Sequence, residues 1–313
     1  MKAAIGIDVG GTNIKGVVLN ARGEILHQHT VPTDDDSAGK WRETIFFLVG
    51  HLKQAFPGPI DLIGLSCPGF ANQANSHIAY MPGRLAGVEN FHWETYLNTP
   101  TYVLNDAHAA LLAEATFGTI KDCKNAVLLT LGTGVGGGLL INGELHQGLG
   151  QMAGHFGHMT LNPHDDELSL LGMPGSLEYA IGNYSVHRRS AGRFASTHEL
   201  VAGYLKNEPF ASWLWLDSVR KLGLALSSIA NIVSPEVIGL AGGVTKAGEA
   251  LFTPLNAFMN VYEFRPKEKQ TQVREAKYSD WAGAVGAATF AFLKTKNTGL
   301  PVKCEPINQE IVR

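Results

Sequence analysis

One pattern occurs twice in this chain, and the repetition restricts the fold more than any other feature. Residues 3–9 (AAIGIDV) are apolar and suited to a strand, Gly10-Gly11-Thr12 is a turn, and residues 14–19 (IKGVVL) are a second strand. Asn20-Ala21-Arg22-Gly23 turns the chain again, and EILHQHTV follows as a third strand. From Asn125 the order restarts: NAVLLTL (125–131), a glycine turn GTGVGGG, the strand LLI, an Asn142-Gly143 hairpin turn and the strand ELH. Turns this short join antiparallel strands, because a parallel crossover needs a dozen or more residues. Asp8 and Gly132 stand 124 residues apart. Two such units in 313 residues predict two related α/β domains facing each other.

Helices follow each unit. After Asp34-Asp35-Asp36-Ser37, the residues Trp41, Ile45, Leu48, Leu52 and Phe56 recur at steps of four, three, four and four, marking one helix face. IDLIGLS (60–66) is a buried strand ended by Cys67-Pro68-Gly69, and TYVL (101–104) is another. The latter runs through Asn105-Asp106 into AHAALLAEATFG, a helix closed by Gly118. Further on come a helix near 176–188, a long one near 211–233, the strand EVIGLA, a Gly242-Gly243 turn and a helix from Thr245. A helix of small residues covers about 280–293. The expected division is a smaller N-terminal α/β domain over 1–117, a larger one over 118–279 and a tail over 294–313. The 280–293 helix is expected to pack back on the first domain.

Glycine is in excess, at 36 residues where average usage of about 7% gives roughly 22. Ten of them fall within the 26 residues from Gly132 to Gly157, so this is neither a collagen-like nor a low-complexity bias. Glycine is costly to order, so the cluster points to backbone that turns tightly or touches a ligand. Lys plus Arg is 25 and Asp plus Glu 28, a net charge of −3, with no basic face for nucleic acid. No apolar run approaches the roughly 20 residues of a membrane helix, and the start MKAAIGIDVGGTN is not a secretory signal. Cys67, Cys123 and Cys304 make neither a disulfide framework nor a Cys-x-x-Cys pair. A reducing cytoplasm is the expected location.

Gly132-Thr133-Gly134-Val135-Gly136-Gly137 formally matches G-x-G-x-x-G. The dinucleotide fingerprint, however, needs a helix after the glycines and an acid about 20 residues on. Here a hairpin follows, and residues 150–158 hold no Asp or Glu. The P-loop pattern is absent as well. A different phosphate logic fits: the turns at Gly10-Gly11-Thr12 and Gly132–Gly138 can aim backbone N–H groups and Thr hydroxyls at phosphates from two sides. Asp8, just before the first turn, suits Mg²⁺ held partly through water. Lys15 is near enough to help with charge. Gly242-Gly243 would let a nucleoside lie on bare backbone. Each turn alone is also what any tight hairpin or strand–helix turn requires; the three together carry the reading.

The arrangement resembles the actin–hexokinase superfamily and, within it, the ROK family of bacterial sugar kinases. The resemblance rests on Ile7–Thr12, Asn105-Asp106-Ala107, Leu131–Gly138, Ala153–Met159, Gly175–Glu178 and Leu240–Val244, in order, over about residues 3–292. It implies a two-domain actin-like ATPase (ribonuclease H-like) α/β fold with a central cleft. It further implies transfer of the ATP γ-phosphoryl group to a hexose hydroxyl, usually the 6-hydroxyl, with ATP and Mg²⁺ as requirements. A carboxylate should take the sugar proton, and Asp106 matches it, although Asp at this point would also suit a helix cap. Asn105, His158 and Glu178 match sugar-contacting positions, and Ser66-Cys67-Pro68-Gly69 resembles the loop lining the sugar site. A Glu in a helix first turn is also what the helix dipole alone favours. Arg84 and Asn90, in GRLAGVENFHW, are further candidates for sugar contact. Relatives in the family are often dimers, which extends the expectation to a homodimer.

Two departures from the family pattern stand out. Residues 159–177 hold no cysteine, and Ser176 stands where the cysteine nearest the Glu belongs. A structural zinc is therefore not expected, even with His155, His158 and His164 nearby; packing by Leu168, Leu170, Leu171 and Met173 would brace the loop instead. His155 stands where the family usually has Glu near the anomeric end of the sugar. A neutral His offers one donor and one acceptor rather than two acceptor oxygens. A similar His occurs in some N-acetylmannosamine kinases of the family. A glucokinase-type activity leads, with N-acetylmannosamine or another hexose as the alternative acceptor and polyphosphate as an alternative donor. A sugar-sensing regulator of weak catalytic power and an actin-like filament ATPase are readings of another class. The regulators carry an N-terminal helix-turn-helix, for which a first strand at Ala3 leaves no room. Asn105, Asp106, His158 and Glu178 speak against the filament.

Overall fold

A computed structural model describes residues 2–35 and 39–295. Most of the expected 294–313 tail, including Cys304, lies outside the described residues. The first unit contains β1 (Ala3–Val9), β2 (Asn13–Asn20), β3 (Ile25–Pro32), α1 (Lys40–Ala55) and β4 (Ile60–Cys67). A two-strand hairpin of β5 (Phe70–Ala71) and β6 (Ile78–Tyr80) follows, then α2 (Trp93–Leu97), β7 (Thr101–Asn105) and α3 (Asp106–Phe117). The second unit contains β8 (Ala126–Leu131), β9 (Val135–Ile141), β10 (Glu144–His146), α4 (Leu177–Ile181), α5 (Val186–Arg189), α6 (Thr197–Leu205) and α7 (Pro209–Val233). It closes with β11 (Val237–Ala241), α8 (Glu249–Tyr262) and β12 (Gln272–Glu275), before the final helix α9 (Ala282–Lys294).

The predicted repeat is visible in the sheets. The first runs β3-β2-β1-β4-β7 and the second β10-β9-β8-β11-β12, strand for strand. In each, three strands pair antiparallel and the next two add in parallel. β1 and β8 lie at the centre and are buried on both faces, as strands covered by helices on either side must be. Trp41, Ile45, Leu48 and Leu52 bury the predicted face of α1, while Phe56 falls at its C-cap. The acidic run before α1 does not cap it: the N-cap is Gly39, and Asp35 instead accepts from the Leu85 N–H at 3.0 Å.

Three sequence expectations need correction. The glycine turn is shorter than 132–138, because β9 already begins at Val135. Gly137 and Gly138 are needed inside that strand, where Gly154, Phe156, Leu111 and His108 press against them. The helix near 176–188 is broken into α4, a 3-10 turn over Asn183–Ser185 and α5. The turn after Gly242 enters a 3-10 segment, Gly243–Ala247, before α8 begins at Glu249.

α3 and α9 lie between the sheets, packed against each other; α3 reaches β8 and β9 and α9 reaches β1 and β4. Their small residues allow backbone to touch backbone. A Cβ on Gly286 would overlap the Ala109 carbonyl, and one on Gly64 of β4 would overlap the Ala287 carbonyl. Neither neighbour can yield without moving a helix. Gly64→Val is expected to cost about 3 kcal/mol or more through overpacking. Thermal unfolding would show it as a fall of several degrees, and an unchanged midpoint would contradict this packing.

Candidate active site between the two sheets

The carboxyl ends of β4, β7, β8 and β11 open into loops that enclose a cleft of about 590 Å³. Of the residues expected at the site, Pro68, Gly69, Asn105, Asp106, Gly132, Thr133, Gly134, His155, His158, Glu178 and Gly242 line it. Asp8, Gly10, Gly11, Thr12, Lys15 and Gly243 are not part of that lining.

Asp106 owes its position to the residue before it. Asn105 is the N-cap of α3: its Oδ1 accepts from the N–H groups of Ala107 at 2.9 Å and His108 at 3.4 Å. Its Nδ2 donates to the Gly69 carbonyl at 3.0 Å, tying the cap to the loop after β4. The cap role thus falls to Asn105, and Asp106 as first helical residue keeps its carboxyl facing the cleft. One Asp106 oxygen accepts from the Ala107 N–H at 2.8 Å. Asp106 is exposed toward the open cleft, yet desolvation by the protein packed around it raises its pKa against the opposing pull of those backbone N–H groups. A raised carboxyl is a stronger base.

Asp8 sits at the end of β1, where the Ser66 hydroxyl donates to its Oδ1 at 2.6 Å. Burial pushes its carboxyl up to about 6; the Ser66 hydrogen bond opposes this, the Asp106 charge adds to it and Lys15 offsets part of it. Lys15 lies opposite Asp8 on β2 and donates to the Asp280 carbonyl at 2.9 Å. That contact uses one of its three N–H donors.

In the two glycine turns, some N–H groups close the turn and others do not. The Gly10 N–H donates to the Asn13 carbonyl and the Gly132 N–H to the Gly134 carbonyl, each at 3.0 Å. Among the described residues, the N–H groups of Gly11, Thr12, Thr133 and Gly134 have no such internal acceptor. At the third turn Gly242 adopts φ +95°, and a Cβ on Gly243 would meet open space. Bare backbone therefore faces outward there.

Glu178 is 6% exposed, so it is not the solvated acid that its helix position alone would favour. Its Oε2 accepts from the Val135 N–H at 3.0 Å and its Oε1 from the Leu170 N–H at 3.1 Å. One carboxylate thereby joins the second glycine turn to the 168–175 loop. Leu168, Leu170, Leu171 and Met173 do not brace that loop by packing; they are 41–54% exposed. Hydrogen bonds order it instead, with the Ser169 hydroxyl accepting from the Met173 N–H at 3.0 Å.

His155 packs between the rings of Phe70 at 4.6 Å and His108 at 5.9 Å, and His158 lies nearly parallel to it at 6.2 Å. The Nε2 of His155 and the Nδ1 of both His158 and His108 are buried without a hydrogen-bond partner. Burial, reinforced by His108 and His158, pulls His155 down to about 4, so it is neutral near pH 7. His108 gives its Nε2 hydrogen to the Ala153 carbonyl at 2.8 Å, which anchors the histidine loop to α3. Sequence reasoning missed Phe70 and His108: a ring in a short strand and a His on a helix carry no motif. Among the described residues, no group of three or more His, Cys, Asp or Glu is arranged to hold a metal. Among the described residues Asp8 suits a cation that keeps most of its waters: one half-buried carboxylate, one oxygen held by Ser66 and a second carboxylate within electrostatic reach.

The ROK family model matches residues 4–294. A glucokinase of Halalkalibacterium halodurans is 31% identical over 310 residues, covering 90% of this chain and 92% of the relative. An N-acetyl-D-glucosamine kinase of Haemophilus influenzae is also 31% identical, covering 92% of this chain and 99% of its own. Among solved structures, a ROK hexokinase from Thermus thermophilus superposes with a TM-score of 0.81 at 27% identity, covering 94% of this chain and 99% of the other.

Proposed function

The chain belongs to the ROK family and has its two-domain actin-like ATPase fold, and from that premise we propose how its cleft phosphorylates a hexose with ATP. The observation that carries the assignment of roles is the Asp106 carboxyl, held at the head of α3 between the second phosphate turn and the histidine loop. The sugar enters with its 6-hydroxyl toward Asp106. Gly11, Thr12, Thr133 and Gly134 give N–H bonds to phosphate oxygens, and Gly242-Gly243 faces the nucleoside. Asp106 takes the proton as the sugar oxygen attacks, so the bond between the γ-phosphorus and the bridging oxygen of ADP breaks as the new one forms. Asp8 would hold Mg²⁺, which when bound neutralises phosphate charge. Glu178 fixes the second turn and the sugar loop relative to each other. An ATP-consuming sugar kinase works where the cytoplasmic nucleotide pool is.

A glucokinase-type acceptor is the first reading. A second, an N-acetylated hexose, is favoured by His155. This neutral ring, with an unpartnered Nε2, offers hydrogen bonding without the charge of a Glu. The two are separated by ADP release across glucose, mannose, fructose, N-acetylglucosamine and N-acetylmannosamine. His155→Glu is expected to raise the glucose preference over N-acetylmannosamine by about tenfold or more, since one charged hydrogen bond is worth about 1.5–3 kcal/mol. No ADP release with any hexose would defeat the kinase assignment.

A further inference from the structure

Arg84 is the only Lys or Arg among the described residues that line the cleft, whose lining also includes Asp106 and Glu178. It is carried on the loop between β6 and α2, and that loop is held tightly. Leu85, next to it, is 1% exposed, adopts φ +50° and donates its N–H to Asp35. Gly83, on the other side, adopts φ +82°. The guanidinium lies over the first phosphate turn: a Cβ on Gly11 would come within 2.8 Å of Nη2 and 2.9 Å of Nη1. The guanidinium thus rests close against the Gly11 backbone.

The nearest acid is Asp35, whose Oδ2 lies 3.8 Å from Arg84 Nε. Both Asp35 oxygens also accept from the Leu85 N–H, at 3.0 and 3.3 Å. Only Nε is engaged by that acid, and the two terminal nitrogens point toward the turn. A guanidinium presents paired donors that match phosphate oxygens. Lys15, the other cation beside this turn, is held by the Asp280 carbonyl.

We propose that Arg84 is a catalytic residue of the transfer, donating to the non-bridging oxygens of the phosphoryl group as it passes from nucleotide to sugar. This rests on the kinase reading above. Arg84 exchanges no atoms: the phosphorus leaves the ADP oxygen for the sugar oxygen, and the sugar proton goes to Asp106. Charge builds on the phosphoryl oxygens in the transition state, and Arg84, lining the same cleft as Asp106, is placed to balance it.

The test compares wild type, Arg84→Lys and Arg84→Ala in the full chain, with ATP and the hexose that wild type turns over fastest. Arg84→Ala is expected to lower kcat by about 10²–10³-fold, with the sugar KM within about threefold of wild type, and added guanidinium should restore part of the rate. Arg84→Lys should retain more activity at an unchanged melting temperature, which separates loss of the fork from loss of the fold. Calorimetry with tripolyphosphate should show binding weakened about tenfold or more in Arg84→Ala. Normal kcat, a rise confined to the sugar KM, or guanidinium without effect would each overturn the proposal while leaving an active wild-type kinase in place. A wild type inactive on every hexose would instead defeat the reading beneath it.

Discussion

Asp106→Asn is expected to leave the sugar bound and the transfer nearly stopped, with kcat down about 10²–10⁴-fold. The amide keeps the shape of the side chain and can still accept from the Ala107 N–H, so α3 and its Asn105 cap survive. What it cannot do is accept a proton as the sugar oxygen attacks. Sugar affinity measured calorimetrically should therefore change little. The wild-type pH profile supplies the companion observation. Because burial raises the Asp106 pKa, its active carboxylate form is present above that raised value and lost as pH falls through it. The acid limb of kcat/KM should lie above the ordinary Asp range of about 4. Near-normal turnover in the Asn variant would remove Asp106 from the base role.

Asp8→Asn should separate stability from activity in opposite directions. Burial holds the Asp8 carboxyl at about 6, well above its ordinary value, so at neutral pH the folded protein carries an ionised group in a place that disfavours it. Relative to the unfolded chain that ionisation destabilises. The penalty is full above the folded pKa of about 6 and disappears as pH falls toward the unfolded value. Asparagine is neutral at every pH and still accepts from Ser66, so the melting temperature at pH 7–8 should rise. If Asp8 holds the cation as proposed, phosphoryl transfer should fall at least about a hundredfold, since a metal clamp on phosphate lowers the barrier by several kcal/mol. A variant that is both less stable and fully active would contradict the electrostatic account. This is the familiar exchange of stability for function at an active site.

The repeated hairpin unit was readable because strand, turn and strand follow each other within about 20 residues, so the signal is local. The Asn105-Asp106 junction was readable for the same reason, as a buried strand running into a helix. Features set by distant neighbours were not. Gly136–Gly138 read as turn because glycine favours turns, yet α3 and the 154–156 segment place them in β9. Leu168, Leu170, Leu171 and Met173 read as packing because they are apolar, but the loop around them is closed by Ser169 and Glu178 and leaves them at the surface. β12 (QVRE) escaped notice because an edge strand of polar residues has no apolar alternation to display. Arg84 read as a candidate for sugar contact, since nothing near it in the chain indicates that Gly11 lies beneath its guanidinium.

α9 has a consequence for the history of each molecule. It covers β1, the first strand among the described residues, with the last helix among them, more than 270 residues later. During synthesis the first sheet waits with one side of its central strand uncovered, whereas the second sheet finds all its strands between residues 126 and 275. The order of maturation should therefore run against the order of translation, with the later-made half consolidating before the earlier one is sealed. The carboxylate at the end of β1 comes into its final setting when that seal forms, because α9 brings Gly283 against Asp8. Formation of α9 thus doubles as a checkpoint: a chain without it has Asp8 outside its final setting.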